Sequence, residues 1–234
     1  MRSKKQQKRP EKKMSVSYRN RTKSEASTIS YFSSSEISAL MSVFDRAEKQ
    51  TLDKLARSPH GHSIYGARLI KIKQRRLMFR MGLELGPRVS EIIGIRWEDL
   101  YRDLLMVRIW DEKKDLNRHC TMPDDLWEEL AAYSELVDRR QGLLFPITDK
   151  TANRWIKELA TAAGIKRRVW WHMMRHTHVV QSRRAGRDWD WISQQTGDSV
   201  ATLIKWYSKL SIEDRHEIGN STSLVGRRFG PWEE

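Results

Sequence analysis

Residues 170–178 read WWHMMRHTH, which places three histidines and one arginine within seven positions, directly behind a tryptophan pair. On a helix, His172, Arg175 and His176 share one face while His178 points away. Three readings suit that grouping. His172 and His176 have the i, i+4 spacing of a zinc pair. A histidine-bearing helix packed into a core is the structural alternative. The third is a grip on phosphate, in which arginine forks two N–H bonds onto the oxygens and histidine adds a donor or moves a proton. Zinc is poorly served. Met173 stands where a metalloprotease helix has glutamate, Arg175 between the ligands repels a cation, and no carboxylate or cysteine nearby offers a third ligand. No metal is expected. Phosphoryl transfer asks for several cations converging on the oxygens, an acid for the leaving oxygen, and a nucleophile.

Tyrosine is the nucleophile on offer late in the chain. Of the six tyrosines, Tyr18 and Tyr31 lie in or beside a basic N-terminal arm, and Tyr133 belongs to an apolar stripe; Tyr65 and Tyr101 complete the set with Tyr207. Tyr207 sits on a short helical segment between Lys205 and Lys209, whose charges favour a phenolate. A packed core tyrosine is the competing reading.

The composition points to a polyanionic partner. Among 234 residues, 44 Lys and Arg oppose 30 Asp and Glu, a net charge of +14 and a pI near 10.0. Nucleic acid is the usual partner of such an excess, with acidic membranes as the rival. Membrane spanning is not expected, because no apolar run approaches the roughly 18 residues a span needs. Nor is a signal peptide, since polar sequence follows the basic N-terminus. Cys120 stands alone, which excludes an internal disulfide and a cysteine zinc cluster and suits a soluble protein of a reducing compartment, expected to be cytoplasmic.

The charge is unevenly spread. Residues 1–30 hold ten Lys or Arg and two Glu, with almost no aliphatic side chains. Residues 1–32 are therefore read as a disordered arm that orders along a phosphate backbone through Lys4, Lys5, Lys8, Arg9, Lys12, Lys13, Arg19 and Arg21. A solubilising tail is the alternative, and Met14 is an alternative start.

Mostly helices must position the site. Helical spacing runs over 33–56, with Ile37, Leu40, Val43 and Phe44 on one side, and over 67–85, with Leu69, Ile72, Leu77 and Met81; a loop is expected at 58–66. Gly86-Pro87 breaks the pattern before a short restart. Residues 104–109 and 117–122 read as a strand–turn–strand around a charged turn. Helices are expected at 124–140 and at 150–164, the latter closed by Gly164, followed by the short segments DWDWISQQTG, SVATLIKWYSKL and SIEDRHEI. Ser211 with Asp214 has the form of a capping box. The expected class is α+β, mainly α-helical with a small antiparallel β-sheet.

Four segments in order resemble the tyrosine recombinase (phage integrase) family. LELGPRVSEIIGIRWEDL resembles the segment around its first catalytic arginine, and VRIWDEKKDLNRHCTMP its lysine-bearing β-hairpin. WWHMMRHTHVV matches its H-x-x-R-H-T box, and TGDSVATLIKWYSKL is similar to its tyrosine segment, with thirty-two residues from Arg175 to Tyr207. The resemblance spans roughly residues 34–215. It implies a catalytic domain at 33–215 and a tail at 216–234 that docks on a neighbouring protomer, with a disordered tail as the alternative that composition equally suits.

By the same resemblance, Arg88 and Arg175 bind the non-bridging oxygens of a DNA phosphate, and Glu91 orients Arg88. Lys113, five positions before Arg118, protonates the leaving 5′-oxygen, with Lys114 as its rival. His172 is an acid–base or phosphate donor, His176 a supporting residue, and Tyr207 the nucleophile that forms a 3′-phosphotyrosyl link. No metal, ATP or other cofactor is implied. The implied partner is double-stranded DNA carrying inverted half-sites, bound as a homodimer and joined as a homotetramer, with an accessory DNA-bending or recombinase protein as a further partner. The tasks served in the family are integration, excision, inversion and resolution, often for mobile elements.

Three departures stand out. Asp198 occupies the position where the family has His or Trp, nine residues before the tyrosine, and an anion there repels phosphate. It is expected to cap the following helix or to orient a neighbour, with Gln194 or Gln195 donating instead. Pro87 replaces the usual residue before the first arginine, and the helical DNA-clamping domain common before the catalytic domain has no room. A catalytically weakened DNA-binding regulator on the same fold is the alternative function.

Overall fold

The computed structural model describes residues 29–58, 62–111, 115–137 and 140–208. Helix α1, Ser34–Arg57, begins where Ser33 Oγ accepts from the Glu36 amide while the Glu36 carboxylate accepts from the Ser33 amide, a reciprocal cap. It buries Leu40 and Phe44 against α2, His62–Leu85. Helix α2 starts five residues earlier than expected. Gly66, read as the end of a loop, lies inside it where an added Cβ would meet open space. Packing on α1 outweighs the roughly 1 kcal/mol cost of a helical glycine.

Helix α2 is the central post, touching α1, α3 (Val89–Gly94), α4 (Asp124–Val137) and α6 (His172–Arg184). Leu77, Met78, Met81 and Leu85 on it are fully buried in the main apolar core. Helix α5, Asp149–Ala162, packs on α1 and α3 and ends before Gly164 at φ +78°. Helices α7, Trp189–Thr196, and α8, Val200–Tyr207, close the far side over a second cluster of Val179, Val180, Ile192, Leu203 and Tyr207.

The sheet has three antiparallel strands rather than two. The order is β1 (Leu100–Tyr101), β2 (Met106–Asp111) and β3 (Leu116–Thr121), and Ile109 lies opposite Arg118. Both hairpin strands are shifted from the expected bounds, by two residues and by one. The alternation of a strand puts Val107, Ile109 and Asp111 on the buried face of β2 and Arg118 and Cys120 on the same face of β3. That face meets α3 and α7. Asp111 of β2 and Arg118 of β3 are thereby turned toward the interior.

The arm boundary after residue 32 needs correcting. Phe32 is fully buried, its amide donates to Thr177 Oγ1 at 2.9 Å, and Ile29 and Tyr31 pack against the second cluster. An aromatic pair with an isoleucine two residues before it has enough apolar surface to be held. The remainder of the arm, the Ser211–Asp214 capping box and the C-terminal tail lie outside the described residues. No helix among the described residues is long and apolar enough to cross a membrane.

Candidate functional site

The site is built where the chain leaves α2. Gly86 adopts φ +62°, and a Cβ on it would stand 2.8 Å from the His178 ring, so only glycine fits this turn. Its carbonyl accepts from Arg175 Nη1 at 2.9 Å, while Thr196 O accepts from Arg175 Nη2 at 2.5 Å. Two backbone carbonyls thus hold a guanidinium that is 1% exposed. Burial pulls its pKa below the ordinary value against the pull of Asp198, and it stays charged at neutral pH.

Arg88 opens α3. Its amide donates to Glu91 Oε2 at 2.7 Å, and its Nη1 donates to Glu91 Oε1 at 2.8 Å and to Asp111 Oδ2 at 3.1 Å. Its Nη2 donates to Asp198 Oδ1 at 2.8 Å. The other oxygen of Asp198 accepts from Arg175, at 2.7 Å from Nη2 and 3.1 Å from Nε. One carboxylate therefore bridges the two arginines. Glu91 is the second hub: Arg118 donates to both its oxygens, at 3.1 and 2.7 Å, and Arg175 Nη1 lies 3.8 Å away. Burial by itself would raise the Glu91 pKa, but the Arg118 fork and the Arg88 amide hold it below the usual carboxylate range.

Histidines and tyrosine line the adjoining wall. The rings of His172 and His176 meet edge to face at 4.6 Å, and His176 Nδ1 is 2.6 Å from Tyr207 Oη. Tyr207 is 7% exposed, and burial pushes its phenol above the ordinary range. Burial, with His172 and Arg175 nearby, lowers His176 to about 4, so it is neutral at pH 7 with one nitrogen free to accept. His172 stands open at the rim, and partial burial followed by the Arg175 charge lowers its pKa as well.

His178 faces away, as helical spacing requires. Its Nδ1 meets Leu83 O at 2.9 Å, so that nitrogen carries the proton; Nε2 is buried with no partner among the described residues. Charging the ring would bury a second donor without an acceptor, and burial holds its pKa at about 4. Against an unfolded value near 6.5, a depressed histidine contributes stability that is complete above about pH 6.5 and is lost as pH falls toward 4. Thermal melts should show Tm dropping across that window, and His178→Asn should flatten the drop. An identical pH profile in the variant would contradict this assignment.

Arg88, Glu91, Arg175 and Asp198 thus meet in one network, with His172, His176 and Tyr207 alongside. Lys113, Lys114 and the basic residues of the arm lie outside the described residues. Asp198 does not cap α8. Ser199 does, its Oγ accepting from the Thr202 amide at 3.2 Å, because a shorter side chain one residue later reaches the helix end. Gln195 is turned from the arginines toward Thr121 Oγ1, at 2.7 Å, and Gln194 is exposed. Sequence reasoning missed Asp111 and gave Arg118 no role. Their signal was their place in a buried strand register, Asp111 two residues after Ile109 and Arg118 two before Cys120. Cys120, raised by burial to about 11, donates to Gln195 O and is no thiolate. Among the described residues no group of three His, Cys, Asp or Glu is disposed to hold a metal ion.

Fold and site together define the catalytic-domain fold of the tyrosine recombinases. The chain belongs to the phage integrase family, whose sequence profile matches residues 66–213. It is 28% identical over 164 residues to the tyrosine recombinase XerA of Thermococcus onnurineus (strain NA1), covering 65% of this chain and 57% of that one. It is 25% identical over 169 residues to XerA of Thermococcus kodakarensis, covering 68% and 58%. The chain thus spans less than two thirds of the length of these curated relatives. In fold it is similar to a crystal structure of XerA recombinase, with a TM-score of 0.61 at 22% identity over 81% of this chain and 64% of that one. The catalytic domain of bacteriophage HP1 integrase matches with a TM-score of 0.55 at 15% identity over 88% of this chain and 97% of that domain.

Proposed function

We propose that this chain is a site-specific DNA recombinase that breaks and rejoins strands through a 3′-phosphotyrosyl intermediate. One observation carries the reading: Arg88 and Arg175, 87 positions apart in sequence, converge on a single two-oxygen anion beside a buried tyrosine. A phosphodiester presents two non-bridging oxygens to the same forks. In the reaction, Tyr207 Oη bonds to phosphorus and the bond from phosphorus to the 5′-oxygen breaks. The phenol proton passes to the histidine pair, where His176 Nδ1 is its near neighbour, and the arginines balance charge on the five-coordinate phosphorus. The 5′-oxygen takes a proton from Lys113 or Lys114. Asp111, at the root of that turn, contacts Arg88, which supports a lysine acting from there. Attack by another 5′-hydroxyl reverses the link, so ATP and metal are not needed.

The partner is duplex DNA with inverted half-sites, held by a dimer, two of which make a tetramer. XerH on its difH substrate, and lambda integrase as a dimer on a core site and a tetramer on a Holliday junction, are fold relatives that support this assembly. The arm, residues 1–28, adds phosphate contacts. Deleting residues 1–28 should lower the slope of log affinity against log salt by several charges' worth, each about 0.9; fluorescence anisotropy with duplex DNA reads it, and an unchanged slope removes the arm from DNA binding.

A DNA-binding regulator is the second reading, favoured by the carboxylate that already occupies the arginine pair. Nicked suicide duplexes tiled from the DNA flanking the gene separate the two. A covalent protein–DNA complex formed in EDTA supports the recombinase, whereas specific binding with no adduct supports the regulator.

A further inference from the structure

We propose that Asp198 is an internal competitor for the phosphate: its carboxylate holds the anion site shut, and a phosphodiester enters only by displacing it. The proposal rests on the reading of the Arg88–Arg175 pair as the phosphate site. The geometry is that of a substrate mimic, with one carboxylate oxygen on Arg88 Nη2 and the other on Arg175 Nη2 and Nε. A carboxylate and a phosphodiester use the same two-oxygen fork on guanidinium, so both cannot occupy it together.

Charge sharpens the conflict. Arg88, Arg118 and Arg175 face Glu91, Asp111 and Asp198, three against three among the described residues. With Asp198 in place these six side chains balance, and the two guanidiniums that would take the anion already face a carboxylate. Once Asp198 withdraws or is neutralised, the described side chains of the cluster gain one net positive charge.

Asp198 is also dispensable as a scaffold. Arg175 is held by the carbonyls of Gly86 and Thr196, and Arg88 by Glu91 and Asp111. The other two carboxylates are sunk, Glu91 at 3% and Asp111 at 9% side-chain exposure, whereas Asp198 is at 21%. Its backbone is tethered by Ser193 Oγ on its carbonyl, so the side chain can swing out by rotation about its own bonds. The residue immediately precedes Ser199, which caps the helix that ends in Tyr207. Displacement by phosphate is thereby felt at the base of the nucleophile's helix.

The test uses the full chain and inorganic phosphate at constant ionic strength, with binding read by calorimetry, and needs no knowledge of the DNA target. Asp198→Asn and Asp198→His should each bind phosphate about tenfold or more tightly than wild type, since a like charge is removed from the site. Adding Arg88→Ala to either should abolish the gain. Equal phosphate affinity in wild type and in a folded variant overturns the proposal. So does loss of folding in both variants by circular dichroism, which would make Asp198 an anchor. Tighter phosphate binding with no tyrosyl adduct on DNA leaves the competitor standing and sinks the recombinase reading. An adduct without tighter phosphate binding sinks the competitor alone.

Discussion

Arg175→Ala is expected to cost the fold about 3–5 kcal/mol and to abolish strand cleavage. Arg175 is 1% exposed and is the largest fully buried side chain described. Its removal strands Asp198 beside Arg88 alone, takes one cation from the neighbourhood of Glu91, and leaves the carbonyls of Gly86 and Thr196 without their donors. Buried groups that lose a partner suffer the full cost of desolvation, and a cavity the size of the side chain adds to it. In a domain of this size Tm should fall by roughly 10 °C or more. Arg175→Lys separates the two roles. It keeps a charge near Asp198 but cannot fork two bonds, so stability should fall by less while cleavage is still lost. Urea melts of both variants check this; an alanine variant within about 1 kcal/mol of wild type would contradict the network.

That network was half legible in the sequence. Arg88, Arg175 and Tyr207 stand in motifs whose spacing can be read along one chain. The long helices were equally open, because Leu40, Phe44, Leu77 and Met81 recur at helical intervals and are buried. What could not be read is what depends on register between distant segments. Arg118 reaches Glu91 only because β3 pairs with β2 so that Arg118 lies across from Ile109. The two-residue strand β1 has too few positions to show alternation. Phe32 was lost to the arm because its partner, Thr177, is 145 residues away. Asp198 is the instructive case. Its type suggested a helix cap or an orienting group, and only the three-dimensional arrangement shows one carboxylate spanning both arginines.

Tyr207→Phe is expected to have the largest effect on chemistry and little on folding. The ring packs with Val179, Val180, Ile192 and Leu203, and phenylalanine preserves that contact. The variant loses the hydroxyl bonded to His176, worth about 1 kcal/mol either way once the buried phenol's own desolvation is counted. Cleavage should fall by at least about 10⁴-fold, the scale on which nucleophiles are lost. DNA binding should be unchanged, because the arginines and their partners are untouched. A phenylalanine variant that still cleaves would move the nucleophile to another side chain.

The most direct test of the phosphotyrosyl account is to map the covalent bond. The full chain is trapped in EDTA on a nicked duplex carrying its site, digested, and the nucleotide-bearing peptide sequenced by mass spectrometry. The account predicts a 3′-phosphate on the peptide containing Tyr207, with its mass on that phenol. A nucleotide on any other residue, or cleavage that leaves no adduct and needs a divalent metal, would contradict it.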